Sequence, residues 1–140
     1  MNSPSDILWL DLAVIHAIHE SQVEEHGGGI AVRDANLLES ALSRPIQHAT
    51  YADPTPDIPT LAAIYGIAFV RNHPFIDGNK RVGLIALELF LRLNGFRLTA
   101  DNASCVVQIL ALAAGQLTDE QFTDWVRRHA ARQTAAKRDD

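Results

Sequence analysis

The chain holds a single cysteine in 140 residues, so it has no internal disulfide. Cys105 lies in the apolar run Cys105-Val106-Val107, which reads as a buried structural thiol rather than a nucleophile. Aromatic residues are few, at 6%, and 12 basic residues are outnumbered by 17 acidic ones, for a net charge of −5. A nucleic-acid-binding domain needs a basic patch, often with aromatics to stack bases, so direct contact with nucleic acid is not expected. No apolar run reaches the roughly 20 residues of a membrane span. The first residues also lack the basic-then-apolar pattern of a secretory signal. Together these absences lead us to expect a cytoplasmic protein with no membrane contact.

The rest of the composition is ordinary for a globular protein, with 47% apolar and 21% charged residues, and the length suits one domain with a real core. Neither repeats nor a convincing strand are evident, and the expected fold class is all-α. Ser3-Pro4-Ser5-Asp6 has helix-start chemistry, with Leu8, Leu12, Ile15 and Ile18 or His19 following at helical spacing as far as Gly27-Gly28-Gly29. His16, His19 and Glu20 share a face of that helix, and the plain reading is of surface or partly buried side chains. The glycine run lacks the ending of a P-loop and reads as a connection. Asp34 caps a short helix from Ala35 to about Ser43, which Pro45 should end. Residues 46–59, with Pro54, Pro56 and Pro59, then form a long loop.

Leu61, Ile64, Tyr65, Ala68 and Phe69 mark a central helix that must stop before Pro74. Val82, Ile85, Ala86, Leu89, Phe90 and Leu93 mark a second, closed by Asn94-Gly95. A helix from about Asn102 to Ala114 carries Val106, Ile109, Leu110 and Ala113. Thr118-Asp119-Glu120-Gln121 is a capping box opening a last helix with Phe122, Trp125, Val126 and His129 on one face. The domain is expected over residues 1–130, with a fraying tail over 131–140.

Between the two central helices lies His73-Pro74-Phe75-Ile76-Asp77-Gly78-Asn79-Lys80-Arg81. Histidine is the side chain whose ordinary pKa lies nearest neutrality, which suits it to general-base work. Asp77 is a hard oxygen ligand of the kind Mg²⁺ takes beside substrate phosphates. Asn79, Lys80 and Arg81 open a helix whose free N–H groups attract anions, with Lys80 a point charge and Arg81 a planar fork. Asp-Gly-Asn is equally ordinary turn chemistry, and basic residues in a first helical turn are often merely solvated.

This segment resembles the Fic/Doc motif, His-Pro-Phe-x-(Asp/Glu)-Gly-Asn-Gly-Arg-x-x-Arg in its Fic form. Lys80 stands where that form has its second Gly, and Leu84 where it has its last Arg. Both are features of the Doc branch, the toxin of a toxin–antitoxin pair. Gly27-Gly28-Gly29 with Val32-Arg33-Asp34, the stretch Leu37 to Leu42 with Arg44-Pro45, Ala68 to Asn72, and Leu93-Asn94-Gly95 are also similar to Doc, so the likeness runs from about Ile15 to His129.

The resemblance implies a Fic/Doc-type helical bundle with His73 as catalytic base and Asp77 as Mg²⁺ ligand. It also implies a phosphate-binding set of Gly78, Asn79, Lys80 and Arg81, in which Asn79 both orders the loop and contacts phosphate. Phe75 reads as a core anchor, and residues around Ile46–Tyr51 as a target-facing flap. The implied activity is transfer of the ATP γ-phosphate to a hydroxyl, of threonine type, of a translation factor such as elongation factor Tu, with growth arrest as the result. Transfer of AMP, and an inactive homologue that only binds nucleotide or antitoxin, are the alternatives. The implied partner is an antitoxin whose C-terminal helix lies in a groove.

Overall fold

Short polar side chains set most of the helix starts. In the computed structural model, which describes residues 6–29 and 31–133, the order is α1 (Leu12–His26), α2 (Ala35–Tyr51), α3 (Ile58–Asn72), α4 (Asn79–Leu93), β1 (Phe96–Leu98), α5 (Asn102–Ala113), α6 (Asp119–Arg128) and β2 (Ala130–Arg132). Asp11, Asp34, Asp57 and Asp101 each accept a main-chain N–H of the first turn they precede. Thr118 and Gln121 complete the expected capping box on α6. Such a cap satisfies one of the donors that a helix start leaves unpaired, and losing it costs about 1 kcal/mol. α4 differs: its N-cap is Gly78, and no side chain caps it.

The all-α class holds, with α3 and α4 as its centre. α3 is buried on nearly every side, and Leu61, Tyr65, Phe69, Leu87 and Phe90 are among the fully buried side chains of the core. The two helices approach closely at Gly66 and Gly83, where an added Cβ would meet Leu87 Cδ1 at 3.2 Å and the Gly66 carbonyl at 3.3 Å. The short connection between them therefore emerges at one end of the bundle. Arg71–Asp119 (2.8 Å) and Arg127–Asp57 (3.1 Å) tie α6 to α3 and to its cap.

Several expectations are corrected. The first helix begins at Leu12, not near Pro4; residues 1–5 lie outside the described residues. The Asn94 side chain accepts Leu8 N (2.9 Å) and donates to Leu8 O (3.0 Å), which holds this segment extended and turns Ile7 and Leu10 inward while Leu8 faces out. Pro45 does not end α2, which runs on to Tyr51 with Pro45 buried inside it. Burial of Leu38, Ala41, Pro45 and Ala49 on one face outweighs the one hydrogen bond that proline forfeits. The expected long loop shrinks accordingly: residues 46–51, where the flap was expected, are helical, and Pro59 lies in the first turn of α3.

Strands exist as well. β1 and β2 pair antiparallel, Phe96 opposite Arg132 and Leu98 opposite Ala130, so that ordered pairing reaches two residues into the stretch expected to fray. Residues 134–140 lie outside the described residues. Cys105 is buried as expected, and burial pushes its thiol up to about 11, so it stays protonated.

Candidate active site

The connection His73–Gly78 is held by Asn79, His19 and the stretch 31–34. Phe75 is fully buried, and Asn79 grips its backbone from the start of α4: Oδ1 accepts Phe75 N and Nδ2 donates to Phe75 O, both at 2.9 Å. His19 of α1 stacks on the Phe75 ring, with centroids 3.8 Å apart, and its Nε2–H donates to the Asp77 carbonyl (3.0 Å). Residues 31–34 run alongside. Arg33 N and Asp34 N donate to Pro74 O, and Ile76 N donates to Ala31 O. Arg33 Nε and Nη2 donate to the carbonyls of His73 (2.7 Å) and Asn72 (2.9 Å).

His73 caps the C-terminus of α3 with φ 54° and ψ 52°, and it is the one non-glycine residue with positive φ among the described residues. This left-handed turn, followed by Pro74, redirects the chain from α3 into the connection. His73 is exposed, and its ring makes no hydrogen bond among the described residues. Gly78 has φ 84° at the start of α4. Asp77 Oδ1 accepts Gly78 N (2.9 Å), while Gly28 lies against its other oxygen so closely that a Cβ there would sit 2.6 Å from Oδ2.

His73, Asp77, Gly78, Asn79, Lys80 and Arg81 line one cleft of about 420 Å³, together with Leu84, Val106, Ile109 and Leu110. The structure thus gathers all the residues singled out from the motif. At the cleft, Arg81 Nε is buried and has no hydrogen-bond partner. Beside it, the first N–H groups of α4 carry no side-chain cap. A buried, unpaired guanidinium donor next to uncapped N–H groups is a donor set of the kind that suits an anion. Lys80 makes no ion pair among the described residues and adds a second cation. Larger depressions of about 680 and 880 Å³ flank α6, but neither contains the motif.

Among the described residues no cluster of three or more His, Cys, Asp or Glu could hold a metal ion by protein ligands alone. One carboxylate at an anion site does fit Mg²⁺, which is commonly held by one or two carboxylates plus substrate phosphates. Asp77, in the same cleft as the unpaired Arg81 donor, is the carboxylate that would serve as the protein's ligand in such a set.

Asn79 departs from one half of its expected role. Its side chain is only 3% exposed and engaged on Phe75, so it orders the loop, and what it can offer an anion is its main-chain N–H. Four contributors were not picked out as site residues by sequence reasoning. His19, expected at the surface or half-buried, is 2% exposed and props the connection from below. Arg33 stood out only by resemblance. Val106 and Leu110, expected in the core, are 39% and 48% exposed and form the cleft's apolar wall, because α5 buries Cys105, Ile109 and Leu112 instead. Helical periodicity could have found the last of these, since Cys105, Ile109 and Leu112 are spaced i, i+4, i+7.

A helical fold with a histidine-capped turn and unpaired donors at a helix start narrows the class of protein, and comparison with known sequences specifies it. The sequence model of the Fic/DOC family matches residues 9–91. The chain is similar to "Protein kinase doc" of Escherichia phage P1, at 30% identity over 112 residues, 80% of this chain and 87% of the relative. It is also similar to "Toxin Doc" of Mycolicibacterium smegmatis, at 40% identity over 75 residues, 54% of this chain and 58% of that relative's length. The chain belongs to the Fic/DOC family, on its Doc branch.

Proposed function

We propose that this protein is a Doc-type toxin that transfers the γ-phosphate of ATP to a hydroxyl of a protein target. The observation that carries the reading is the buried, unpartnered Arg81 Nε beside the uncapped start of α4, in the cleft that also holds His73 and Asp77. Arg81 and the N–H groups of α4 would bind phosphate oxygens, with Lys80 neutralising further charge. Asp77 would hold Mg²⁺, which when bound neutralises phosphate charge.

The exposed imidazole of His73 would take the proton of the target hydroxyl as its oxygen bonds to the γ-phosphorus. The bond from that phosphorus to the β–γ bridging oxygen breaks and ADP leaves. Such a reaction needs little covalent help from protein; positioning and charge neutralisation supply most of it. Transfer of phosphate rather than AMP is favoured by two residues. Lys80 occupies the place where the Fic form has glycine, and the buried, cleft-lining Leu84 removes the second arginine that would hold a terminal phosphate. The name of the phage relative, a protein kinase, supports the same choice.

A threonine of translation elongation factor Tu is the proposed target, with arrested translation as the consequence, and the cytoplasm the proposed site of action. The names of the relatives also support an antitoxin partner, and apolar surface such as Val107, 60% exposed, is of the kind a partner helix covers. Intact mass spectrometry of elongation factor Tu after incubation with this protein, ATP and Mg²⁺ tests the reading. A gain of one phosphoryl group is the expected result. Gain of an AMP group would replace kinase by AMP-transferase chemistry, and no gain would reject this target.

A further inference from the structure

His73 is the group in the site whose backbone is least comfortable. A non-glycine residue in the left-handed region carries a steric penalty, so the surroundings must hold it there. Main-chain bonding supplies part of the hold, through His73 N to Phe69 O at 3.2 Å. The remainder comes from one short stretch. The carbonyls of residues 72, 73 and 74 together accept four hydrogen bonds, all from Arg33 and Asp34. Two of the four come from the single guanidinium of Arg33, at 2.7 Å to His73 O and 2.9 Å to Asn72 O.

The chemistry of this contact is specific to arginine. Its Nε and Nη2 donors are fixed in one plane, so gripping two successive carbonyls fixes the peptide between them. Those carbonyls end α3, where the helix dipole is negative, so the cation is favourably placed. Arg33 does not line the cleft. Its side chain meets the back of the turn whose front presents the imidazole, and any effect on substrate must pass through His73.

We infer that Arg33 is a positioning residue for the proposed catalytic base: its guanidinium locks the peptides of Asn72 and His73 and so fixes how the His73 ring is presented to the cleft. The inference rests on the assignment of His73 as the base, and it also makes a statement about backbone conformation that stands without any activity. Arg33→Lys keeps the charge but cannot bridge both carbonyls in one plane, and Arg33→Met keeps most of the stem's packing without a donor.

Two measurements test it on the full chain, with circular dichroism confirming that each variant folds. The first is the steady-state rate of phosphate transfer. Both variants should lose kcat, by about tenfold to a hundredfold for a base displaced by an ångström or so, with KM for ATP unchanged, and free guanidinium ion should restore part of the loss in Arg33→Met. The second is NMR of the backbone at His73, whose shifts and amide–α coupling report its left-handed conformation. Arg33→Met should lose that signature and wild type should show it. Equal loss through KM, or retention of the left-handed signature in Arg33→Met, would overturn the inference. If the wild type transfers no phosphate, the functional reading fails, and the NMR result still decides whether Arg33 holds His73.

Discussion

Asn79 and Phe75 are bound to each other by two reciprocal hydrogen bonds of 2.9 Å, amide side chain against main chain, with both residues buried. The pair closes the connection into a ring at the point where α4 begins. The clip lies between His73 and Arg81 in the chain, so it helps fix the course of the connection that carries both.

Asn79→Asp should therefore damage fold and function together. A carboxylate cannot donate to Phe75 O, and leaving a buried group unsatisfied costs about 1–3 kcal/mol, more where charge is involved. Thermal unfolding should show a lowered Tm, and phosphate transfer should fall even at temperatures where the variant is folded.

His73→Ala should separate the two. The side chain is exposed and makes no hydrogen bond among the described residues, so Tm should move little. Transfer should drop by the roughly 10²- to 10⁴-fold that general-base help provides, and expression of the variant should no longer arrest growth. Arrest that persists at equal expression would remove His73 from its assigned role.

His19 gives a graded test of support from α1. His19→Leu keeps an apolar side chain under Phe75 but leaves the Asp77 carbonyl without its donor. His19→Gln can still donate. We expect ATP binding, followed by calorimetry with Mg²⁺ present, to weaken in His19→Leu and to recover in part in His19→Gln.

Gly28 combines φ 111° with a Cβ position 2.6 Å from Asp77 Oδ2. Gly28→Ala has to move either the loop or the carboxylate. The expected outcome is a higher Mg²⁺ concentration for half-maximal ATP binding, with α-helical content unchanged by circular dichroism.

Asp57 predicts the acid limit of stability. Its burial would raise the carboxyl's pKa, but hydrogen bonds from Thr60 and the Arg127 guanidinium outweigh that, and the net value lies below the ordinary 3.8. A carboxylate depressed in the folded state contributes its full stabilisation above the unfolded pKa and loses it as pH falls through the folded value. Stability should thus be flat with respect to this group near neutrality and decline below about pH 4. Asp57→Ala should cost about 1 kcal/mol at pH 7 through the lost cap of α3, and urea titrations at pH 7 and pH 3 should show a smaller difference than in wild type.

Much of this was legible in the sequence because its causes are local. Asp34, Thr118 with Gln121, and Gly78 act on residues within a turn of themselves, so helix starts could be read from residue order. The helix-to-loop junction at His73 followed from Pro74 alone. The nine-residue motif also placed its own polar groups close together, since a short connection between antiparallel helices leaves them nowhere else to go.

What the tertiary structure decided depended on partners far along the chain. Pro45 stays helical because its face is buried in the bundle, an energy that no local rule contains. β1 finds β2 across more than thirty residues. His19 is buried because Phe75 lies against it, and its hydrogen-bond partner, the Asp77 carbonyl, is 58 residues away. Arg33 reaches His73 and Asn72 across a gap of about forty. Residue order determined which groups the site would contain, because propensity, capping and turn chemistry act over a few residues. Packing alone decided how those groups are held, because burial and long-range hydrogen bonds exist only once distant segments have met.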